Sequence, residues 1–235
     1  MKSDKYSDLF NSRYMMGPNC MMLLEEMDEH VPGAANGARV LDLGCGQGLS
    51  TLYIAREMGA AQIFATDLWI SASELERNFT SWGIDDFAFP IHADAHALPF
   101  AGGFFDAVVS VDAYHYFGTE EGFFARSIWP LVKPGGRVMI CVPGLAREED
   151  GCTPLMHEWA GDEAALFHSA GWWHDRLTRG LCDVAQSSAY CSAFSDRAWR
   201  DWFASSHEYA QRDREFLERG LGDILAFASV ILTKE

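Results

Sequence analysis

The sequence predicts an α/β fold: a seven-stranded, mostly parallel sheet with helices on both faces and a C-terminal antiparallel strand. Three observations carry that prediction. Short apolar, β-branched runs alternate with helical stretches, the pattern of a parallel sheet whose strands are buried on both faces. A glycine-rich turn, Gly44-Cys45-Gly46-Gln47-Gly48, joins the first run to the helix behind it. The chain has 235 residues, enough for one main domain with a sizeable core.

The elements follow in order. Residues 20–30 place Met21, Leu24 and Met27 at helical spacing before the stop signals Pro32 and Gly33, so a helix precedes the first strand. Ala38 to Leu43 is a short apolar run ending in the glycines, and Ser50 to Met58 is helical up to Gly59. Strand 62–66, helix 73–82 and strand 87–92 repeat the unit. Phe105 to Val111 is apolar beyond Asp106, as expected of a strand covered on both faces. Residues 120–132 read as helix, Lys133-Pro134-Gly135-Gly136 as a turn, and 137–142 as the fifth strand. Beyond Pro143 come a charged loop at 147–150, a helix over 159–179 interrupted near Gly171, and a strand over 183–191. Helices over 196–203 and 208–220 and a closing apolar strand over 224–232 complete the chain.

Composition narrows the function. Thirty-four acids against 18 bases leave a formal charge of −16, spread over both halves of the chain. Nucleic acids and anionic membranes recruit clustered positive charge, so neither is an expected partner. The longest stretch without a charged residue, Leu43 to Ala55, has 13 residues, short of the roughly 18 that a membrane span needs. The N-terminus has no apolar signal core, and the cytoplasm is the expected location. Cys20, Cys45, Cys141, Cys152, Cys182 and Cys191 form no CxxC pair and no Cys/His cluster at ligand spacing. They read as reduced, mostly buried thiols, and no metal is expected.

Gly44, Gly46 and Gly48 between a buried strand and a helix allow positive φ and close backbone approach, with helix amides facing the turn, so a small ligand is expected there. The dinucleotide fingerprint G-x-G-x-x-G fails at Leu49 and does not include the acid at position 42. Asp67 ends the second strand, where a carboxylate can accept from a ribose diol in either class of nucleotide cofactor.

The run Val40-Leu41-Asp42-Leu43-Gly44-Cys45-Gly46-Gln47-Gly48 resembles the first motif, D-x-G-x-G-x-G, of the class I S-adenosylmethionine-dependent methyltransferases. His92 to Phe100, an Asp followed by Leu-Pro-Phe, looks like the family's third-strand segment. Phe105 to Val109 looks like its fourth strand and Lys133 to Gly136 like the turn before its fifth. The likeness covers about residues 38–142 and is nearest the small-molecule members typified by ubiquinone and menaquinone methyltransferases.

This resemblance implies a Rossmann-like fold, S-adenosylmethionine as cofactor, and methyl transfer to a small-molecule acceptor. It divides the chain into an N-terminal helical lid segment over 1–37 and a methyltransferase domain over 38–235, with a substrate-facing insertion over 145–181. On the cofactor side it implies that Asp42 holds the loop and the cofactor's ammonium end while Gly44, Gly46 and Gly48 shape that loop. Asp67, with Leu68 beside it, would hold the ribose; Asp94 would accept from the adenine amino group and the Ala95 amide would donate to the ring. Ser110 also falls on the cofactor side. Asp106 reads as a structural anchor of its strand, and Cys45 is given no thiol role. Trp69 either stacks over the adenine or packs in the core. A nicotinamide-dependent oxidoreductase and a non-catalytic S-adenosylmethionine-binding protein are the alternatives.

The acceptor is expected after the fourth strand, because ligands of open parallel sheets lie at the strands' carboxyl ends. Asp112, Tyr114 and His115 are the catalytic candidates, since histidine titrates near neutrality and tyrosine can hydrogen-bond an acceptor; the alternative is that this segment only lines and orients the pocket. Tyr116 is a candidate for acceptor binding. Tyr14, in the Tyr-Met-Met-Gly-Pro-Asn segment 14–19, either forms part of a lid or sits in a loop docked on the core. His168 and Trp172 in the insertion are further acceptor candidates, whereas Trp173 shares an apolar helix face and reads as core.

Overall fold

The computed structural model describes residues 1–235, the side chain of Cys152 excepted. Its seven strands are β1 (Arg39–Leu43), β2 (Gln62–Asp67), β3 (Ala88–His92), β4 (Phe105–Val111), β5 (Val132–Leu145), β6 (Val184–Cys191) and β7 (Leu225–Lys234). They form one sheet in the order β3-β2-β1-β4-β5-β7-β6. The first five strands run parallel. The closing strand β7 runs antiparallel between β5 and β6, as its composition allows: Leu225 to Leu232 are all buried, which suits an inner strand.

Seven α-helices accompany the sheet: α1 (Cys20–His30), α2 (Leu49–Arg56), α3 (Ala72–Trp82), α4 (Pro154–Ala160), α5 (Ala170–Thr178), α6 (Ser195–Ala204) and α7 (Glu208–Glu218). Alternation along each strand feeds two cores. In β1, Val40 joins the core under α1, α2 and α6, and Leu41 joins the core under α5 and the segment 123–132.

Three expectations are corrected. Residues 120–132 form no regular α-helix: a π-helical turn, Phe124–Ile128, runs into a 3-10 turn, Trp129–Leu131, because Pro130 has no N–H to continue an α ladder. The helix expected over 159–179 is the end of α4, a 3-10 segment Gly161–Leu166 and then α5, which runs uninterrupted through Gly171. Gly161, at φ +58°, ends α4, and Ser169 caps α5 by accepting from the Trp172 amide. The Lys133–Gly136 turn lies inside β5, where the register with β4 shifts between Phe105 and Ala107. Asp106 holds that irregularity, accepting from Lys133 Nζ at 2.5 Å and from the Arg39 amide at 2.8 Å, the anchoring role expected of it.

The N-terminal segment also divides differently. Helix α1 is a core element, with Met21 to Leu24 inaccessible and packed across β4, β5 and β7; of this segment, residues 14–18 and Cys20 reach the cleft described below. Five described cysteines are free thiols. Cys45 and Cys141 are buried and Cys20 partly so, but Cys182 and Cys191 are exposed, fewer buried than expected; the side chain of Cys152 lies outside the description. Among the described residues no helix is long and apolar enough to cross a membrane.

Candidate active site

The chain leaves β1 toward β2 and returns from β3 to β4 on the other side of β1, so the sheet's order reverses between β1 and β4. Such a switch point opens a crevice at the strands' carboxyl ends. Gly44, Asp67, Asp94 and Asp112 stand at or just beyond those ends, and the crevice divides into three connected lobes.

The first lobe, of about 350 Å³, lies beyond β1, β2 and β3 and includes Asp67, Leu68, Asp94, Ala95 and Phe117 in its walls. The second, of about 100 Å³, lies against the glycine loop, with Gly44, Gly46, Gln47 and Ser50 on one side and Tyr14 and Met16 on the other. The third, of about 720 Å³, lies between the crevice and helices α4, α6 and α7. Trp69 and Tyr116 border all three. Their rings meet edge to face at 5.1 Å, and Trp69 is 63% exposed, which removes the core alternative for it.

The glycine loop is fastened from behind. Asp42 is fully buried and accepts from Ser50 Oγ at 2.8 Å and Thr51 Oγ1 at 2.6 Å, tying β1 to the first turn of α2. Its other oxygen is buried without a partner. Burial pushes its pKa up to about 6, the two hydroxyl donors opposing that rise. Gly44 must be glycine twice over: its φ is +75°, and a Cβ would stand 2.3 Å from that of Ala113. Gly48 opens α2 and lies outside the lobes, with Phe79 where a side chain would go.

Asp67 is the hub of the first two lobes. One carboxylate oxygen accepts from the Gly46 amide at 2.9 Å; the other accepts from the Trp69 and Ile70 amides at 2.8 and 2.9 Å. A carboxylate offers about four acceptor sites, so one remains for a ligand hydroxyl where the sequence suggested two. Asp94 accepts from the amide and the ring Nδ1 of His96 through a single oxygen, both at 2.8 Å, and these bonds hold its pKa below the ordinary carboxylate range. Its second oxygen accepts no bond from a described residue. Leu68 and Ala95 line this lobe as expected. Ser110 does not: its hydroxyl is fully buried and donates to the Leu43 carbonyl at 2.7 Å, where it ties β4 to β1.

Asp112 stands where the second and third lobes meet. Its φ is +58°, a conformation that costs a non-glycine residue energy and is tolerated best by Asp and Asn. Its carboxylate accepts no hydrogen bond from a described residue and abuts Gly17, where a Cβ would come within 2.2 Å of Oδ2. Burial, helped by the charge of Asp213, pushes its pKa up to about 8.

The other catalytic candidates fare differently. His115 lines the third lobe and is 3% exposed, and burial pulls its pKa down to about 3. It is neutral near pH 7 and too weak a base to hold a proton there, which corrects its expected role. Tyr114 is inaccessible, packed against Phe117, Phe124 and Trp173, with burial raising its pKa; it lies outside all three lobes. Tyr116 faces the cleft as expected, and burial raises its pKa too.

Among the acceptor candidates, Tyr14 lines the second lobe with its ring 5.4 Å from that of Trp82. His168 and Trp172 do not reach the cleft. Their rings stack at 3.5 Å, and His168 Nδ1 is bonded to Glu148 at 2.6 Å, so the insertion faces the cleft through 158–167 and not through α5. Sequence reasoning missed Trp199, Trp202, Tyr209 and Asp213 in the third lobe. Trp199 and Trp202, three apart on an amphipathic helix, carried a usable signal; Asp213, one acid among many in α7, carried none.

Comparison with known proteins decides the family. Residues 40–136 match a family described as a methyltransferase domain. Over residues 40–136 the chain carries a methyltransferase domain. Over 156 residues, 66% of the chain, it is 35% identical to the 2-methyl-6-phytyl-1,4-hydroquinone methyltransferase of Synechocystis sp., of which the match covers 42%. The matches span about four-tenths of the length of the first curated relatives. Among solved structures, phosphoethanolamine N-methyltransferase 2 of Haemonchus contortus, in complex with S-adenosyl-L-methionine, superposes with a TM-score of 0.74 at 18% identity, covering all of this chain and 57% of that one. Geranyl diphosphate C-methyltransferase of Streptomyces coelicolor superposes with a TM-score of 0.72 at 16% identity, covering 91% and 79%. At these identities the solved structures speak to the fold. The matched residues thus cover β1 to β4, the start of β5, the first lobe and the glycine-loop side of the second, and the third lobe is built largely outside them.

Proposed function

We propose that this protein transfers a methyl group from S-adenosylmethionine to a small-molecule acceptor held in the third lobe. The observation that carries the reading is the join between lobes. A nucleotide-sized cleft and a loop lobe open on one side of Asp112 and Tyr116, and an acceptor-sized cavity opens on the other.

The residues fit the cofactor chemically. S-adenosylmethionine brings a ribose diol, an adenine amino group and two cationic centres. The first two lobes offer the open acceptor sites of Asp67 and Asp94, and neither lysine nor arginine lines them. The all-parallel 3-2-1-4-5-6 order of dinucleotide folds is broken by the antiparallel β7. Asp67 and Leu68 would hold the ribose, Asp94 and Ala95 the adenine, and the Gly44–Gly46 backbone the amino-acid end. When bound, the cofactor supplies a methyl group already activated by its sulfonium.

The protein's own contribution is placement, and fixing two reactants in line removes much of the entropic barrier of a bimolecular displacement. Residues 14–18 close the second lobe opposite the glycine loop and act as the lid; Met16 Sδ lies 3.0 Å from where a Gly46 Cβ would be. Asp112 takes the acceptor's proton where there is one to lose, its raised pKa suiting a base near neutrality. The free thiols favour a reducing compartment such as the cytoplasm. Titration calorimetry tests the reading: S-adenosylhomocysteine binds at one site per chain and a nicotinamide dinucleotide does not. The reverse pattern would remove the proposal.

A further inference from the structure

We propose that the third lobe recognises a cationic amine, with Asp213 and Glu163 as its charge partners and the indoles of Trp159 and Trp202 among its walls. This rests on the methyl-transfer reading and names its acceptor class. Four carboxylates line the lobe, Asp112, Glu158, Glu163 and Asp213, against one guanidinium, Arg212. Two of these five charges are already engaged. Glu158 is gripped through both oxygens by Arg219 at 2.8 and 2.6 Å. Arg212 donates to the Trp159 carbonyl and lies over the Phe216 ring. Asp112, Glu163 and Asp213 are left facing the cavity without a basic partner.

Asp213 is fixed in place. Its two oxygens accept from two indoles, Trp159 Nε1 at 2.9 Å and Trp202 Nε1 at 2.8 Å. Each oxygen keeps a second acceptor site for a ligand N–H. Phe167, Trp199 and Tyr209 extend the aromatic wall, and aromatic faces attract ammonium groups. On the inner wall His115, 3% exposed, leaves Nδ1 buried and without a partner. Among the described residues no group of three His, Cys, Asp or Glu could hold a metal ion.

Charge decides against other acceptors. A phosphorylated or carboxylate acceptor would meet the like charges of Asp213 and Glu163, and a long uncharged tail would cover carboxylates without pairing them. For a primary or secondary amine the balance is complete within the site. An N–H proton passes to the Asp112 carboxylate and the freed lone pair forms an N–C bond to the methyl carbon. The S–C bond breaks with its electron pair on sulfur, and the product is an ammonium with one methyl more.

The test uses the full chain saturated with S-adenosylhomocysteine and two probes of equal shape, phenethylamine and 2-phenylethanol, followed by tryptophan emission. The amine should half-saturate the signal at a concentration at least tenfold lower. The gap should shrink at least threefold in Asp213→Asn and in Glu163→Gln, an exposed position whose change leaves the fold intact. With labelled S-adenosylmethionine, phenethylamine should acquire label in preference to 4-ethylphenol. Equal binding of the two probes, no binding of the amine, or label on the phenol alone would overturn the amine assignment while leaving methyl transfer standing. Failure to bind S-adenosylhomocysteine at all would instead overturn the reading beneath it.

Discussion

The first two lobes and the third are built by different means. The first two lobes use backbone: amides of Gly46, Trp69 and Ile70 on Asp67, the amide of His96 on Asp94, and a loop threaded past Ala113. The third lobe uses side chains from α4, α6, α7 and the 161–167 turn, brought together across more than 50 residues of sequence, as in the Trp159 to Asp213 bond. Backbone-built sites demand particular residues at fixed offsets within one turn. Side-chain-built sites demand only a size and a charge, which many sequences supply, and the family match ends at residue 136, before any of α4, α6 or α7 begins.

The contrast can be broken most forcefully at Gly44. Gly44→Val adds a strained positive φ and a contact with Ala113, together worth about 2–5 kcal/mol. Urea denaturation should show that loss and S-adenosylhomocysteine binding should vanish. A stable, binding-competent variant would mean that the loop is not held as described. Next comes Asp67→Ala, which strips three amides of their acceptor. Calorimetry should show affinity for S-adenosylhomocysteine falling by about 1.5–3 kcal/mol, the worth of bonds to a charged group, whereas phenethylamine binding in the third lobe should persist.

Legibility in the sequence follows the same division. The five parallel strands, the glycine loop, Asp67 and Asp94 could be read because each combines a short-range pattern with a local geometric need. Ser110 misled because residues along a strand point alternately toward a site and away from it, and its hydroxyl became a strand tie; Tyr114, in the 3-10 turn Tyr114–Tyr116, turned its ring into the core as packing. His168 and Trp172 misled because they satisfy one another by stacking. Asp213 was invisible because only the folded chain brings it between two indoles.

Asp112 joins the two halves, and its variant sharpens the comparison. Asp112→Asn should slow methyl transfer to an amine by about 10²-fold or more with little change in S-adenosylhomocysteine affinity. The folded pKa near 8 lies above the unfolded value of about 3.9, so the stability this carboxyl contributes is full at low pH and is lost as pH rises toward 8. Thermal melts of the wild type should therefore show a decline over that window that is smaller in the Asn variant. Asp42, raised to about 6, contributes a fall of the same sign that both proteins share. The smallest effect belongs outside the cleft. His168→Ala should leave methyl transfer and cofactor affinity within about 0.5 kcal/mol of the wild type, as surface changes do; a large loss would return the α5 face to the site.

The placement of the two halves is tested most directly by photolabelling with 8-azido-S-adenosylmethionine and mapping the modified peptide. The adenine should mark residues 66–69, 93–96 or 116–117, which wall the first lobe, and unlabelled S-adenosylhomocysteine should abolish the mark. Specific label on 158–167 or 199–213 would put the adenine in the third lobe and contradict the account.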